Sequence, residues 1–510
     1  MADFLLGIDS GGTAVKVAVI AADGTELAVR GTTHPALTPA PGHAERDPER
    51  TWECLARDIR LVLADAGLEG PDIAGIGVTG YGNGLWLLDE AGRPVGNGVL
   101  TSDLRAASIC ADWRRDPPDE ATRQRRLQVA AWPGKPMPIL AWLQRHVPDQ
   151  LARARFAVSS KDYLRSRLVG TVAGEVSDQS SSGYSPVERR ENDPAMLAAV
   201  GLSELARLMP PLLEPMDIAG EVTAEAAAAT GLRAGTPVSA GCSDNLAVML
   251  GTAAVTPDDV VVMAGTWGLH QCFLDALPAD PSAIFLTHGL LPGTWLAIEG
   301  SPTSAGQLDW FVERFIRSQR PDLADGQLFA MLNEGVARLD PRDPPVFFLP
   351  YLNGAMDQSS ARGSLIGLTN WHGLPHTVRG MMEGIAFEHR RHLDRLAALR
   401  GRPGSARFAG GAARSEPWRE IFAAALDLEL ELPAGRELGA LGAAILAAVA
   451  LGRQPDLPTA VAAMTRLEGQ VQPDPALTEL LAGRYRIWRD LAVALAPHWD
   501  AVIDGTGTTR

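Results

Sequence analysis

The sequence predicts an α/β protein made of two related halves. A strand, a Gly-Thr turn and a returning strand occur near residue 10, and the same order recurs near residue 266, about 255 residues later. Strands alternate with helices between and after these two points. The length of 510 residues suits roughly two to four domains, and we place the boundary between the halves near Asp244–Gly251.

The first hundred residues predict a mixed sheet with one helix. An apolar run leads into a glycine-rich turn at Ile8–Thr13, and the alternation over Val15–Ile20 is typical of the second strand of a hairpin. Asp47 followed by Pro48 is typical of a helix start, so a helix should run to about Ala66. Further strands are predicted at Glu26–Gly31, Ile73–Thr79 and Leu85–Asp89.

The rest of the chain continues the alternation. Strands are predicted at Val238–Gly241, Asp259–Ala264, Leu269–Phe273, Trp295–Glu299, Pro345–Leu349 and Ser405–Ala409. Helices are predicted at Pro138–His146, Asp162–Leu168, Thr303–Ser318, His376–Arg400, Pro417–Ala425, Gly439–Ala448 and Leu477–Leu495. The serine-rich stretch Ser177–Gly183 is predicted to be a loop.

Composition excludes several classes of protein. A net charge of -15 disfavours nucleic-acid binding, which needs a basic face. The four cysteines are scattered without the spacing of a zinc site or a disulfide framework. The N-terminus lacks signal-peptide features, and the longest small-apolar run, Leu438–Leu451, is too short to span a bilayer. We therefore expect a cytoplasmic protein with neither a membrane nor a nucleic acid as partner.

Lysine is rare in this chain. Only Lys16, Lys135 and Lys161 stand among 46 basic residues, so arginine supplies the other 43. A coding bias toward arginine explains the excess, and the remaining lysines then mark places where a compact ammonium is needed. The alternative is chance retention on the surface.

Three glycine-rich turns are candidate anion sites. In Ile8–Thr13 the backbone amides can form a nest, Asp9 can hold a hydrated Mg²⁺, and Lys16 can reach a phosphate. Gly265–Gly268 (GTWG) offers a second nest. Ala409–Ser415 (AGGAARS) lies between a strand and a helix and suits a ribose, a purine or a phosphate. The alternatives are an ordinary hairpin with a solvated aspartate and simple structural turns.

Asp244 is the candidate general base. It follows the predicted strand Val238–Gly241 at the start of the boundary between the halves. Phosphoryl transfer mainly needs positioning and charge neutralisation, with one carboxylate to accept the proton of the acceptor hydroxyl. The alternative is that Asp244 only caps a helix that begins at Asn245.

An ordered series of motifs resembles the FGGY carbohydrate kinases over roughly residues 4–455. The series is GIDSGGT with Lys16, PGHAERDPERTW, GVTGYGNGLWLLD, TSDLRA, KDYL at Lys161–Leu164, GTPVSAGCSDN, GTW, EGSPTSAG, FLPYLNG, EGIAFE at Glu383–Glu388, FAGGAARS and GALGAA at Gly439–Ala444. Each motif alone is weak, but all of them in this order are specific.

The resemblance implies two RNase H-like domains of the actin/hexokinase/Hsp70-like ATPase fold, with the active site in an interdomain cleft. It places an N-terminal domain at 1–247 for the sugar, the base and the first phosphate turn. A C-terminal domain at 248–455 would bind the nucleotide, and a helical tail would fill 456–510. ATP and Mg²⁺ are the implied co-substrate and metal.

The same resemblance implies a role for individual residues. Asp244 matches the catalytic base, and Asp9 matches the acid that holds Mg²⁺ through water. Trp267 departs from the family, which usually has serine there. The nucleotide and phosphate residues are Gly11, Gly12, Thr13, Lys16, Gly265, Thr266, Gly410, Gly411 and Ala412. The substrate residues are Tyr81, Gly82, Asn83, Asp103, Arg105, Trp132, Lys135, Asp244 and Asn245.

The loop at 80–84 bears on the substrate. It reads Gly-Tyr-Gly-Asn-Gly, whereas D-xylulose kinases usually have Gly-Gln-Met-His-Gly and glycerol kinases carry Arg-Glu near 82–83. The overall pattern looks most like L-xylulose kinases, so the expected acceptor is a ketopentose such as L-xylulose. The open alternatives are a polyol such as erythritol or ribitol, D-xylulose or ribulose, and, in another class, a non-catalytic nucleotide-binding scaffold. A homodimer is expected from the resemblance alone.

Overall fold

A computed structural model describes residues 3–115, 132–279, 284–355 and 358–504. The chain forms two compact units. The first comprises residues 1–257, 273–297 and 434–466, and the second comprises 258–272, 298–433 and 467–510. The last six residues of the expected tail lie outside the described residues. The domain limits expected from sequence remain a prediction.

The described strands are numbered in chain order. They are β1 (Phe4–Ser10), β2 (Ala14–Ile20), β3 (Glu26–Thr33), β4 (Glu45–Arg46), β5 (Ile73–Gly80), β6 (Trp86–Leu88), β7 (Gly98–Val99), β8 (Phe156–Val158), β9 (Gly174–Glu175), β10 (Leu212–Leu213), β11 (Ile218–Glu221), β12 (Pro237–Ser239), β13 (Cys242–Ser243), β14 (Val260–Ala264), β15 (Gly268–Leu274), β16 (Phe285–His288), β17 (Trp295–Ser301), β18 (Phe347–Leu349), β19 (Ser364–Ile366), β20 (Ser405–Ala409), β21 (Glu429–Pro433) and β22 (Leu467–Val471).

The described α-helices are numbered likewise. They are α1 (Pro48–Ala66), α2 (Ala107–Arg115), α3 (Pro136–His146), α4 (Pro148–Arg153), α5 (Ser160–Val169), α6 (Val176–Ser182), α7 (Pro194–Ala198), α8 (Ala224–Thr230), α9 (Asp244–Gly251), α10 (Gly306–Phe311), α11 (Asp325–Ala337), α12 (Leu374–Arg400), α13 (Glu416–Leu426), α14 (Leu438–Ala450), α15 (Leu457–Met464), α16 (Pro475–Leu495) and α17 (Trp499–Asp504).

Two sheets repeat one arrangement, as the internal repeat in the sequence predicts. In the first sheet the strand order is β11-β12-β5-β1-β2-β3, with hairpin β1–β2 antiparallel and β5 parallel to β1. In the second the order is β16-β17-β15-β14-β20-β21-β22, with hairpin β14–β15 antiparallel and β20 parallel to β14. The α/β fold with two related halves is confirmed.

Helix α1 covers one face of the first sheet. The Asp47 carboxylate accepts hydrogen bonds from the amides of Glu49 and Arg50, and Pro48 occupies the first turn, so the helix begins where the sequence predicts. Trp52 and Ile59 belong to the apolar cluster that this helix forms with the sheet. The buried apolar stripe of α1 fixes it on β2 and β3.

Helix α14 packs on β1 and β5 at very short range. A Cβ atom at Gly7 would lie 2.0 Å from the carbonyl oxygen of Ala440, and one at Gly77 would lie 1.9 Å from that of Ala443. Glycine in both strands therefore permits backbone contact between strand and helix. The resemblance placed this helix in the C-terminal domain, whereas its packing places it in the first compact unit.

Two local predictions were wrong. Val176–Ser182 is helical rather than a loop, because the Glu175 carboxylate accepts from the amides of Ser177 and Asp178 and supplies an N-cap. The predicted helix Thr303–Ser318 is α-helical only over Gly306–Phe311 and then widens into a π-turn over Val312–Ile316.

Candidate active site

The first glycine turn connects β1 to β2, and its carbonyl groups point into the protein. Arg46 Nη2 donates to the carbonyl of Gly12 at 2.7 Å, and its Nη1 donates to that of Gly11 at 3.3 Å. The carbonyl of Thr13 accepts from the amide of His34 at 2.9 Å. Arg46 is buried and so supplies positive charge directly beneath the turn. Because its carbonyl oxygens point inward and a buried guanidinium lies next to it, the turn suits the binding of an anion.

Asp9 lies at the end of β1 with one carboxylate oxygen unsatisfied. Its Oδ1 is buried and has no hydrogen-bond partner among the described residues. Burial raises the pKa of Asp9 to about 6, while Lys16 opposes this shift. Lys16 lies on β2 opposite Asp9, and its Nζ lies 2.7 Å from Glu437 Oε2. An orphaned carboxylate oxygen fits a hydrated Mg²⁺. Among the described residues, no cluster of three or more His, Cys, Asp or Glu side chains is placed to bind a metal directly.

Asp244 is the first residue of α9, and Ser243 precedes it as the N-cap. Burial, followed by the negative charge of Asp9, raises the pKa of Asp244 to about 8. The Asp244 Oδ1 atom accepts a hydrogen bond from the amide of Asn245 at 2.7 Å. Asp244 is therefore not the N-cap of α9; it is a partly buried carboxylate whose pKa is raised close to a second acid.

Two buried acceptor oxygens, one in the loop at 80–84 and one beside it, have no hydrogen-bond donor among the described residues. Asn83 adopts a left-handed backbone with φ of 65°, and its Oδ1 is buried without a hydrogen-bond partner in the described part of the chain. A Cβ atom at Gly82 would meet Ser181 Oγ at 3.4 Å and Asp178 Oδ1 at 3.8 Å. Asp178 Oδ1 is likewise unsatisfied. Orphaned acceptors of this kind match the hydroxyl donors of a sugar or polyol.

Tyr81 anchors this loop. Its amide donates to the carbonyl of Ser10 at 3.0 Å, and its hydroxyl accepts from Trp86 Nε1 at 3.2 Å. Burial raises the pKa of Tyr81 above its ordinary value. The loop is therefore tied to the end of β1, next to the first turn.

A buried ionic network supports the loop from behind. Lys161 Nζ lies 2.8 Å from Asp162 Oδ1, 2.8 Å from Asp178 Oδ2 and 3.6 Å from Glu175 Oε2. Arg165 Nη1 lies 2.8 Å from Asp162 Oδ1. Burial would lower the pKa of Lys161, but these carboxylates outweigh it and raise the pKa above its usual range. The network fixes Asp178, whose free oxygen faces Gly82.

Lys135 is buried, and none of the described acidic side chains pairs with it. Its Nζ donates to the carbonyl of Ser181 at 3.3 Å and lies 4.4 Å from the centre of the Phe285 ring. Burial lowers the pKa of Lys135 to about 7. The preceding Gly134 accepts a hydrogen bond from the amide of Gly84, so the lysine adjoins the loop at 80–84. Trp132 begins the same turn, with its carbonyl accepting from the amide of Lys135.

Asp103 and Arg105 form a salt bridge with each other. Asp103 Oδ1 accepts from Arg105 Nε at 2.9 Å, and Arg105 Nη2 also donates to Glu45 Oε1 at 2.7 Å. Asp103 Oδ2 accepts from the amide of Ala44. Asp103 and Arg105 thus hydrogen-bond to the segment before α1. Their contact with the substrate stays a prediction.

The second turn, Gly265–Gly268, and the Gly410–Ala412 turn adjoin each other. Strands β14 and β20 pair in parallel, with Met263 opposite Ala409, so both turns leave the same edge of the sheet. A Cβ atom at Gly410 would lie 2.5 Å from the carbonyl oxygen of Ala264, and Gly410 has φ of 102°. A short 3₁₀ turn, Ala412–Arg414, separates Gly411 from α13. Gly265, Thr266 and Gly411 are at least partly exposed.

Profiles of one protein family match most of the chain. The N-terminal domain of the FGGY family of carbohydrate kinases matches residues 4–251, and the C-terminal domain matches residues 260–451. The chain belongs to the FGGY family of carbohydrate kinases.

Relatives of this carbohydrate kinase align with nearly its whole length. It is 32% identical to the L-xylulose/3-keto-L-gulonate kinase of Escherichia coli strain K12, over 97% of this chain and 98% of the relative. It is 28% identical to the erythritol kinase of Brucella abortus strain 2308, over 99% and 98%. The crystal structure of xylulose kinase from Rhodospirillum rubrum is similar with a TM-score of 0.85 and 26% identity, over 98% of this chain and 100% of that one. The two-domain kinase fold is confirmed.

The sequence predicts no site role for several residues that the structure places at or beside the site. Arg46 lies just before a predicted helix start, and Asp178 lies in the stretch predicted to be a loop. Phe285, against Lys135, carries no local signal. The rarity of lysine was an informative signal, because Lys135 and Lys161 are both buried.

None of the described helices combines the length and hydropathy that crossing a bilayer requires.

Proposed function

We propose that this kinase transfers the γ-phosphoryl group of ATP to a hydroxyl of a ketopentose such as L-xylulose, with Asp244 as general base. The observation that carries the proposal is Asp244 itself, a partly buried carboxylate with a pKa raised to about 8 near Asp9. A base is most effective when its pKa lies near the working pH. The names of the kinase relatives support phosphoryl transfer to a sugar or polyol.

In the proposed reaction Asp244 takes the proton of the acceptor hydroxyl. The hydroxyl oxygen forms a bond to the γ-phosphorus, the bond from that phosphorus to the β–γ bridging oxygen breaks, and ADP leaves. Asp9 would hold Mg²⁺ through water, and the metal would neutralise phosphate charge. The amides of the turns at Gly11–Thr13 and Gly265–Gly268 would receive phosphate oxygens, and those near Gly410–Ala412 would contact the nucleoside.

The acceptor pocket would be formed by the loop at 80–84. The unsatisfied Asn83 Oδ1 and Asp178 Oδ1 would accept hydrogen bonds from acceptor hydroxyls. A polar pocket of this kind rejects acceptors that leave its buried groups unpaired.

A second candidate acceptor is a ketose that carries a carboxylate. Lys135 is a buried amine beside the loop at 80–84, with a pKa lowered to about 7, and lacks an acidic partner among the described residues. A substrate carboxylate would supply one. The relative from Escherichia coli is named for both a neutral ketopentose and 3-keto-L-gulonate, which is such an acid.

An acceptor panel tests the proposal. ADP release coupled to NADH oxidation is measured with Mg-ATP and L- and D-xylulose, L- and D-ribulose, 3-keto-L-gulonate, erythritol, ribitol, xylitol and glycerol. A neutral ketopentose with the highest kcat/KM supports the first candidate, and the keto acid supports the second. A polyol in first place would overturn both and make the kinase a polyol kinase.

Asp244→Asn tests the general base. We expect kcat to fall by about 10²–10⁴ while the affinity for ATP, measured by calorimetry, stays unchanged. Turnover close to that of the unaltered enzyme would exclude Asp244 as the base. Val248→Ala is the matched control, since it alters a side chain of the same helix and keeps the Asp244 carboxylate.

A further inference from the structure

A buried histidine cluster lies in the second compact unit. It comprises His270 on β15 and His389 and His392 on α12, all of them buried. The rings of His270 and His389 are 4.8 Å apart, and those of His270 and His392 are 6.0 Å apart. The proposed transfer reaction uses none of the three.

One edge of the cluster contacts the turn Gly265–Gly268. His389 Nε2 lies 2.7 Å from Ser304 Oγ. The amide of Ser304 donates to the carbonyl of Thr266 at 3.1 Å. A Cβ atom at Gly268 would lie 2.8 Å from the same His389 nitrogen. One imidazole ring therefore supports the turn both at its end and through Ser304.

The carbonyls of this turn accept hydrogen bonds from backbone amides of the protein. Those of Gly265 and Thr266 accept from the amides of Gly306 and Ser304, and that of Trp267 accepts from the amide of Gly265. The first turn shows the same design, in which Arg46 and His34 hold the carbonyls. If the Thr266 carbonyl were released, the peptide could rotate and place an oxygen where an anion should bind.

The other edge of the cluster is fixed by carboxylates. His392 Nδ1 lies 2.9 Å from Glu299 Oε2, and its Nε2 lies 3.1 Å from Glu388 Oε1. Burial opposes the charged form, but these two contacts raise the pKa of His392. His389 is neutral, because burial followed by the charge of His392 lowers its pKa to about 3. A neutral ring has one donor and one acceptor nitrogen, so it can join Ser304 to His270, whose Nε2 is 3.3 Å away.

We propose that His389 is a positioning residue for nucleotide binding, which keeps the Thr266 peptide of the Gly265–Gly268 turn in the orientation that suits a phosphate by holding Ser304. The inference rests on the proposed function, because it takes the ligand of this turn to be ATP. His389 is buried and would act through Ser304.

The test compares His389→Leu, His389→Gln and Ser304→Ala. We expect His389→Leu to raise the KM for Mg-ATP about tenfold, with the KM for the acceptor within about twofold of the unaltered enzyme. Ser304→Ala should act in the same direction, and the double variant should be no worse than His389→Leu because both remove one interaction. Glutamine can place a polar group near Ser304, so His389→Gln should restore part of the affinity. Calorimetry with a non-hydrolysable ATP analogue measures the same effect without turnover.

Leu393→Ala is the control for general destabilisation. Leu393 is buried on α12, one turn beyond His389, and belongs to the packing of that helix. The Leu393→Ala substitution should lower the unfolding temperature and leave the affinity for ATP unchanged. An ATP affinity in His389→Leu and Ser304→Ala no weaker than in Leu393→Ala would overturn the inference. If the unaltered enzyme binds no ATP, the proposed function fails first and the inference with it.

Discussion

Replacing Lys135 with methionine is expected to stabilise this kinase, although it removes a hydrogen bond and a cation–π contact. Burial lowers the pKa of Lys135 from 10.5 to about 7. At about 1.36 kcal/mol per pH unit, burying this group costs the folded state at most about 4–5 kcal/mol near pH 7. Methionine fills a similar volume without charge. After subtraction of the lost contacts to Ser181 and Phe285, we expect a net gain of about 2 kcal/mol.

The pH dependence gives the sharper test. Between pH 7 and 10.5 the unfolded chain binds a proton at Lys135 that the folded chain has released. The stability of the unaltered protein therefore rises with pH through this window, by at most about 1.4 kcal/mol per pH unit. The variant lacks this contribution, so its advantage should be largest below pH 7 and should shrink toward pH 10. Urea unfolding at pH 6.5, 7.5, 8.5 and 9.5, followed by circular dichroism, measures the difference.

Lys161→Met is the matched contrast. It removes the other buried lysine but leaves the carboxylates of Asp162, Asp178 and Glu175 without their cation, so it should destabilise by about 3–5 kcal/mol. The raised pKa of Lys161 makes its contribution complete below pH 10.5, with loss only above that pH. Destabilisation by Lys135→Met, or a difference that stays constant with pH, would refute the reasoning.

Two further predictions concern the turns. Arg46→Met should raise the KM for ATP and lower the free energy of unfolding by about 3 kcal/mol or more, because it leaves three backbone carbonyls unpaired. Arg46→Lys should not restore these hydrogen bonds, since an ammonium lacks the guanidinium fork. Gly82→Ala should change the unfolding free energy by less than about 1 kcal/mol, because the added methyl group meets only ordinary contacts, yet it should raise the KM for the acceptor. Steady-state kinetics and urea unfolding check both.

Local sequence was enough for those features that depend on near neighbours. The helix at Pro48–Ala66 follows from an aspartate cap and a proline, and the β1–β2 hairpin follows from alternation around glycines. The family assignment also came from sequence, because a series of short motifs in fixed order is specific even when each motif is weak. The repeated strand-turn-strand unit predicted two related sheets.

Only the tertiary structure decided which distant residues meet. Arg46 reaches the first turn, Glu175 converts a serine-rich stretch into a helix, and α14 packs within the first compact unit after leaving β21. Ser304, His389 and Gly268 meet across more than a hundred residues of chain. Such contacts arise from burial and from long-range hydrogen bonds, and neither is encoded in the periodicity or the turn signals of any single segment.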